Sequence, residues 1–222
     1  MSLHVIILAA GQGSRMKSGL PKVMHSLAGK PMLQHVLDTA NQLGADGIHV
    51  VVGHGAEIVK NTITDEVNWC YQAEQLGTGH AVAQAISHLP EDAKVLILYG
   101  DVPLTTAETL AALVNSVEEQ QLSLLTVNLE DPRGYGRIIR DEDSEIAAIV
   151  EEKDATDEQR YVNEVNTGIL AMNSNILHRY IPTLGNSNAQ GEYYLTDIIE
   201  IAVTNGGRVV SHQPEFEQEV QG

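Results

Sequence analysis

Cysteine occurs once in 222 residues, at Cys70. This excludes an intramolecular disulfide and any cysteine-built metal cluster, and it fits a reducing, cytoplasmic setting. Long hydrophobic runs are also missing. The apolar stretch 5–10 is far too short to span a bilayer, and a Gly-rich polar segment follows it rather than a cleavage site, so neither a membrane span nor a targeting segment is expected. Positive charge is scarce, with 13 Lys and Arg against 30 Asp and Glu for a net charge of −17. Such a field repels phosphate polymers and anionic lipid, so neither nucleic acid nor a membrane is an expected partner. Nine histidines are present, but none in a His-Glu-x-x-His or other ligand spacing, and no Gly-x-Ser-x-Gly elbow occurs, which leaves zinc chemistry and covalent nucleophilic catalysis without support. The remaining composition, 43% hydrophobic and 19% charged, is that of an ordinary globular chain, and the length suits one domain.

What is present is unevenly placed. Four basic residues, Arg15, Lys17, Lys22 and Lys30, precede the first carboxylate of the chain, Asp38. They surround a glycine-rich loop, Gly11-Gln12-Gly13-Ser14-Arg15, which follows a β-branched run over 4–10 read as a buried strand. Pro31 opens a helix whose apolar positions Leu33, Val36, Leu37 and Ala40 recur at helical spacing, with Gly44 ending it. Further strands are predicted at 48–52, 68–72, 94–99 and 122–127, and helices near 56–62, 78–87 and 106–118. This alternation predicts an α/β fold, a Rossmann-like, mostly parallel mixed sheet flanked by helices. After Asp131 the pattern changes. Strands at 136–140 and 145–150 joined by an acidic turn, a strand at 165–172, and helices near 174–180 and 194–205 predict a small antiparallel lobe. No interior linker separates the parts, so residues 1–222 read as one domain with a first part to about 130 and a second from about 131.

Open α/β sheets bind ligands beyond the carboxyl ends of their strands. Three predicted strand ends are unusually polar: 11–15, 72–78 and 100–101. The first is neither a Walker A loop nor a dinucleotide fingerprint, since no Gly-Lys-Ser/Thr follows and Met16 stands where a third glycine would be. Its glycines let backbone N–H groups approach an anion, with Arg15 and Lys22 placed to neutralise it, and phosphate is the natural anion. Asp101, closing an apolar strand, is either a turn or helix cap or a hard oxygen ligand suited to Mg²⁺. The loop from Gln72 to Thr78 carries amides able to read a base edge, although Thr78 also suits a helix N-cap. Gly136, Glu151 and Asn166 are bland singly, but together they offer the scattered partners a sugar needs.

Leu8-Ala9-Ala10-Gly11-Gln12-Gly13-Ser14-Arg15-Met16 followed by Leu20-Pro21-Lys22 resembles the opening of sugar-nucleotide pyrophosphorylases. The further runs 72–81, 99–104, 134–138, 164–168 and 191–197 resemble, in order and from end to end, the uridyltransferase half of the bifunctional N-acetylglucosamine-1-phosphate uridyltransferase/glucosamine-1-phosphate acetyltransferase (GlmU) family. The resemblance implies a nucleotide-diphospho-sugar transferase fold and a Mg²⁺-dependent enzyme joining UTP to N-acetylglucosamine 1-phosphate, with pyrophosphate released, for cell-wall and lipopolysaccharide precursors. It implies that Leu8, Ala9, Ala10, Gly11, Gly13, Lys22, Gln72, Gly77, Thr78, Tyr99 and Gly100 hold the nucleotide. It further implies that Arg15, Lys22 and Asp101 are catalytic, Asp101 as the metal ligand, and that Gly136, Glu151, Asn166, Tyr194 and Thr196 hold the sugar phosphate. The family often has Lys and Thr where this chain has Gln12 and Ser14, swaps that keep the backbone cradle and remove one charge. Family members also continue past Gly222 into a Val-Asn segment whose Asn is a second metal ligand, then into an acetyltransferase β-helix that forms trimers. The resemblance therefore implies a fragment without acetyltransfer and with weakened uridylyl transfer.

Overall fold

The computed structural model describes residues 1–11, 13 and 18–222. At its centre is β1 (Ser2–Ala9), whose Val5, Ile6 and Ile7 have no exposed surface. A β-branched run buried on both faces belongs in the middle of a sheet with helices on each side. A two-strand ribbon follows, β2 (Ser26–Leu27) and β3 (Lys30–Pro31), then α1 (Met32–Gln42), β4 (Gly47–Val52), α2 (Ala56–Thr62), β5 (Asn68–Tyr71), α3 (Thr78–Ala83) and β6 (Ala93–Tyr99). The chain continues through α4 (Ala107–Asn115), β7 (Gln121–Asn128), β8 (Arg137–Arg140), β9 (Ile146–Val150), β10 (Glu164–Asn173), α5 (Ser174–Tyr180), α6 (Asp197–Thr204) and β11 (Arg208–His212). The main sheet runs β11-β7-β10-β6-β1-β4-β5, with β8 and β9 attached beside β10.

Parallel ladders join β1 to β4, from His4↔Gly47 to Ala9↔Val52, and β1 to β6, from Ser2↔Ala93 to Leu8↔Tyr99. Side chains alternate across this sheet, so Ile6, Leu8, Val95 and Ile97 enter one core layer while Val5, Ile7, Leu96 and Leu98 enter the other. No helix among the described residues is long and apolar enough to cross a membrane.

The antiparallel part differs in detail from the expected lobe. β8 and β9 do form a ribbon across the acidic turn, from Arg137↔Val150 to Arg140↔Ile146. The strand predicted beside them, β10, instead lies inside the main sheet, antiparallel to β6 on one side and β7 on the other. The ladder between β10 and the ribbon is short, with Val165↔Arg137 in register and the Arg140 guanidinium bonded to the Glu164 carboxylate at 2.8 Å. The helix expected over 78–87 stops at Ala83, where the N–H groups of Gln84 and Ala85 bond back three residues rather than four, to the carbonyls of Ala81 and Val82. A 3-10 turn follows at Ile86–His88, and Pro90 disfavours a helical conformation at Leu89, which is extended. Pro31 stands one place outside its helix, as N-cap. The helix expected from 194 begins at Asp197, since the Leu195 N–H is held by the Thr78 hydroxyl and that of Tyr193 by the Leu76 carbonyl. The edge strand β11 was not anticipated, because its Arg-Val-Val-Ser-His sequence is short and half polar.

Candidate active site

The chain runs outward from β1 to β4 and β5, then returns to place β6 on the other side of β1. Strand order therefore reverses at the carboxyl ends of β1 and β6, where an open α/β sheet leaves a crevice. A cleft of about 600 Å³ occupies that place. Its wall contains Leu8, Ala9, Ala10, Gly11, Gly13 and Lys22 from the first loop, Gln72, Gly77 and Thr78 from the second, and Tyr99 and Asp101 from the third. The three polar strand ends thus meet in one crevice. Of the residues expected to hold a nucleotide, only Gly100 is not on the wall. Its N–H donates to the Leu8 carbonyl at 2.9 Å, and a Cβ there would press on Val23 and Leu33 at 3.1 and 3.3 Å, so Gly100 lets the core close behind the cleft. Arg15 lies outside the described residues. Gln75, Glu192 and Gly222 also line the cleft. Sequence patterning missed Glu192 and Gly222 because they arrive from the far end of the chain.

Lys22 begins a 3-10 turn, Lys22–Met24, anchored by the buried Val23 and Met24. Its Nζ lies 2.8 Å from Asp101 Oδ2, both side chains partly exposed to the cleft. Gly13, in the left-handed region at φ +56°, lets the first loop fold onto Lys22, since a Cβ there would come within 2.9 Å of the Lys22 Cβ. Neither Asp101 nor Thr78 is a helix cap. The N-cap of α4 is Thr106, whose side chain accepts from the Thr109 N–H, and the Thr78 hydroxyl accepts from Leu195 N–H at 3.0 Å across 117 residues of sequence. Gly77 makes that crossing possible, because a side chain there would strike the Tyr193 backbone. Gln72 is buried and donates from Nε2 to the Gly77 carbonyl at 3.2 Å.

Tyr99 separates this cleft from a second group of polar residues. Burial, then the carboxylates of Glu151 and Asp101, push its phenol well above the ordinary tyrosine range, against a hydrogen bond with Thr78. Gly168 lies flat on its ring: at φ +88°, in the register shift of β10 between Asn166 and Leu170, it has no side chain to overlap the Tyr99 ring.

Near Tyr99, four of the residues expected to hold the sugar phosphate are tied in pairs, Thr196 to Glu151 and Asn166 to Gly136. Thr196 Oγ1 donates to Glu151 Oε1 at 2.9 Å, and Gly136 faces the same carboxylate, with both oxygens 3.4 Å from where a Cβ would be. The Asn166 N–H donates to the Gly136 carbonyl at 2.8 Å, while Asn166 Oδ1 accepts from Gly168 N–H at 2.9 Å. Tyr194 is buried, with its hydroxyl 3.3 Å from Asp154 Oδ2. Burial raises the Glu151 carboxyl above the usual range, and Asp154 adds to it, against the Thr196 hydrogen bond. The neighbouring Asp197 is pushed up to about 6 by burial first and then by Glu200, Glu151 and Asp154. Its place in the first turn of α6, where the helix dipole favours a negative charge, does not offset that crowding.

Arg137 has a role the sequence did not disclose. It is 1% exposed, its guanidinium bonded to the Tyr135 carbonyl and, at 2.7 Å, to Glu152 Oε2. A buried cation thereby fixes the loop that presents Gly136.

Among the described residues no three His, Cys, Asp or Glu side chains converge as a metal cage. The donor set still fits Mg²⁺: Asp101 places a carboxylate on the wall of a cavity roomy enough for phosphate oxygens and water, which are the ligands that ion normally takes in addition to one or two carboxylates.

A family model described as a MobA-like NTP transferase domain matches residues 5–159. The chain is 61% identical over 221 residues to "Bifunctional protein GlmU" of Marinobacter nauticus, covering 99% of this chain and 49% of that protein. It is 58% identical over 223 residues to the protein of the same name from Pseudomonas aeruginosa, covering 100% and 49%. The chain thus spans about half the length of the curated relatives it matches. Among solved structures, a UDP-glucose pyrophosphorylase complexed with UDP-glucose is similar in fold, with a TM-score of 0.78 at 17% identity over 96% of this chain and 91% of that one.

Proposed function

The chain belongs to the MobA-like NTP transferase domain family, and from that premise we propose that it transfers a uridylyl group from UTP to N-acetylglucosamine 1-phosphate, giving UDP-N-acetylglucosamine and pyrophosphate. The observation that carries this reading is the Lys22–Asp101 pair at the mouth of a glycine-walled cleft whose buried amide, Gln72, can accept from a base. The relatives named GlmU support the choice of sugar and base.

An oxygen of the sugar phosphate attacks the α-phosphorus of UTP in line. The new P–O bond forms as the bond to the β-phosphate oxygen breaks, and pyrophosphate leaves with that electron pair. No covalent enzyme intermediate is needed, so the work is positioning and charge neutralisation. Gly11 and Gly13 bring backbone N–H groups close to the polyphosphate, and Lys22 supplies a compact positive charge beside the reacting phosphoryl. Arg15, by its place in the first loop, would neutralise the departing pyrophosphate. Asp101 would hold Mg²⁺, whose charge offsets that of the phosphate oxygens. Leu8, Ala9 and Ala10 wall the nucleoside, with Tyr99 dividing nucleotide from sugar. Glu151 and Asn166 accept from sugar hydroxyl and amide groups, Thr196 holds the Glu151 carboxylate in place while Gly136 leaves room beside it, and Tyr194 packs at the edge. Residues 1 to about 130 thus serve the nucleotide and about 131 to 222 the sugar. The reaction belongs in the cytoplasm, and the longer family member would be a homotrimer through its further domain.

Pyrophosphate release measured with UTP, CTP, ATP and GTP against several sugar phosphates tests the reading. UTP with N-acetylglucosamine 1-phosphate should be the preferred pair, and preference for a purine nucleotide would overturn the assignment.

A further inference from the structure

Gln72 is 2% exposed on the cleft wall, and its amide nitrogen is engaged inward. Nε2 donates to the Gly77 carbonyl at 3.2 Å and lies 3.0 Å from Nδ1 of His80. A carbonyl only accepts, so the amide nitrogen must face Gly77, and its second hydrogen then points to His80. That contact is a hydrogen bond only if Nδ1 offers a lone pair, which places the proton of the neutral ring on Nε2. His80 Nε2 is 3.2 Å from the amide of Gln84, whose nitrogen also donates to the His80 carbonyl at 3.0 Å. A neutral imidazole cannot accept at both nitrogens. Each amide has a carbonyl partner, but Gln72 is buried whereas Gln84 is half-buried, so Gln84 is the side chain that can turn its oxygen toward Nε2–H and leave its nitrogen to solvent. The Tyr193 ring, tilted with its centroid 6.5 Å from that of His80, packs beside the imidazole.

We propose that His80 is a positioning residue that sets base specificity: by accepting from Gln72 at Nδ1 it fixes the Gln72 Oε1 as an acceptor toward the cleft. The inference rests on the nucleotide reading given above and deepens it. An acceptor held there takes a base edge that offers an N–H and refuses one that offers a lone pair. Uracil and cytosine differ in this way at N3, which carries a hydrogen in uracil and a lone pair in cytosine, and N3 is the atom Oε1 would meet. Without His80 the amide has one tie instead of two. Turning over, to present its nitrogen to the N3 lone pair of cytosine, then costs one hydrogen bond instead of two.

The test is kcat/KM for UTP and for CTP, each with N-acetylglucosamine 1-phosphate and Mg²⁺, on the wild type and on His80→Leu, His80→Ala and His80→Asn. His80→Leu and His80→Ala should lower the preference for UTP over CTP by about tenfold, the worth of one oriented hydrogen bond, with the loss falling in KM for UTP rather than in kcat. His80→Asn, whose Oδ1 can replace the Nδ1 acceptor, should keep most of the preference. Equal losses for UTP and CTP in all three variants, or no change in any of them, would overturn the role of His80 while leaving the uridylyl reading intact. A wild type with no preference for UTP would remove that reading and this inference with it. If His80→Leu unfolds on a thermal melt, His80→Ala and His80→Asn decide.

Discussion

On the wall proposed for the nucleotide, a ligand would meet mostly backbone and small side chains. Leu8 to Gly11 and Gly13 stand at the end of β1, whose register is set by parallel ladders of six and seven pairs, and Gly77 lies in the loop after β5, which pairs with β4 over four. On the wall proposed for the sugar it would meet a carboxylate bonded to a hydroxyl, Glu151 with Thr196, and an amide, Asn166, that accepts from the Gly168 N–H. Chemistry accounts for the contrast. A polyphosphate needs close N–H groups and cations, which glycines and a lysine provide, whereas sugar hydroxyls need acceptors held at fixed angles. The two walls therefore fail differently. Damage to the first should appear in turnover, and damage to the second in sugar binding or in stability.

The sharpest way to break the comparison is Asp101→Asn, which keeps shape and removes charge. It should lower kcat by on the order of 10²–10³, with the Mg²⁺ concentration needed for half-maximal rate raised, as steady-state kinetics over a Mg²⁺ titration would read. Wild-type Mg²⁺ dependence in this variant would take the metal away from Asp101. Next in size is Gly168→Ala at the seam between the walls. A positive φ and overlap with the Tyr99 ring should cost about 2–4 kcal/mol in urea unfolding, with activity lost toward both substrates. Thr196→Val touches only the sugar wall. It deprives Glu151 of its hydrogen-bond donor and should raise KM for the sugar phosphate by about tenfold while KM for UTP stays put. A parallel rise in both would erase the division of labour.

The smallest effect concerns pH. Asp197 sits at about 6 in the folded chain against an ordinary 3.8. Between those values the folded chain keeps a proton that the unfolded chain has released, so the contribution of Asp197 to stability falls as pH rises through that window. Asp197→Asn should accordingly be more stable than wild type at pH 7, by about 1 kcal/mol once partial solvent screening is allowed for, and indistinguishable from it below pH 4. Thermal melts at the two pH values would show it.

Legibility followed the same divide. Leu8 to Gly13, Gln72 to Thr78 and Tyr99 to Asp101 could be found because each is one short run at the end of an apolar strand, and strand ends in an open α/β sheet converge without further information. Their internal wiring was not legible. Thr78 reads as a cap, yet its hydroxyl serves Leu195, and Gly100 reads as a wall residue, yet it fills the core. On the sugar wall the polar residues were visible only as scattered points. What joins Asn166 to Gly136 and Thr196 to Glu151 is the packing of β8, β10 and α6, which no local spacing encodes. Arg137 could not be recognised as a buried cation, because burial depends on Glu152 and on a carbonyl that only the folded loop supplies. Likewise, a bulge at Gly168 leaves no mark beyond a lone glycine in a strand.

The antiparallel insertion of β10 also governs the order in which the molecule can be completed. Emerging from the ribosome, residues 1–100 can assemble β4, β5, β1 and β6, but β6 then exposes an edge, apolar apart from Lys94, whose partner is not made until β10, some 65 to 80 residues later. Such an edge is a template for pairing with another chain. Cutting the protein near residue 130, between its two working parts, would therefore yield a nucleotide half prone to aggregation rather than a smaller binding module. What divides the labour at the cleft does not divide the polypeptide.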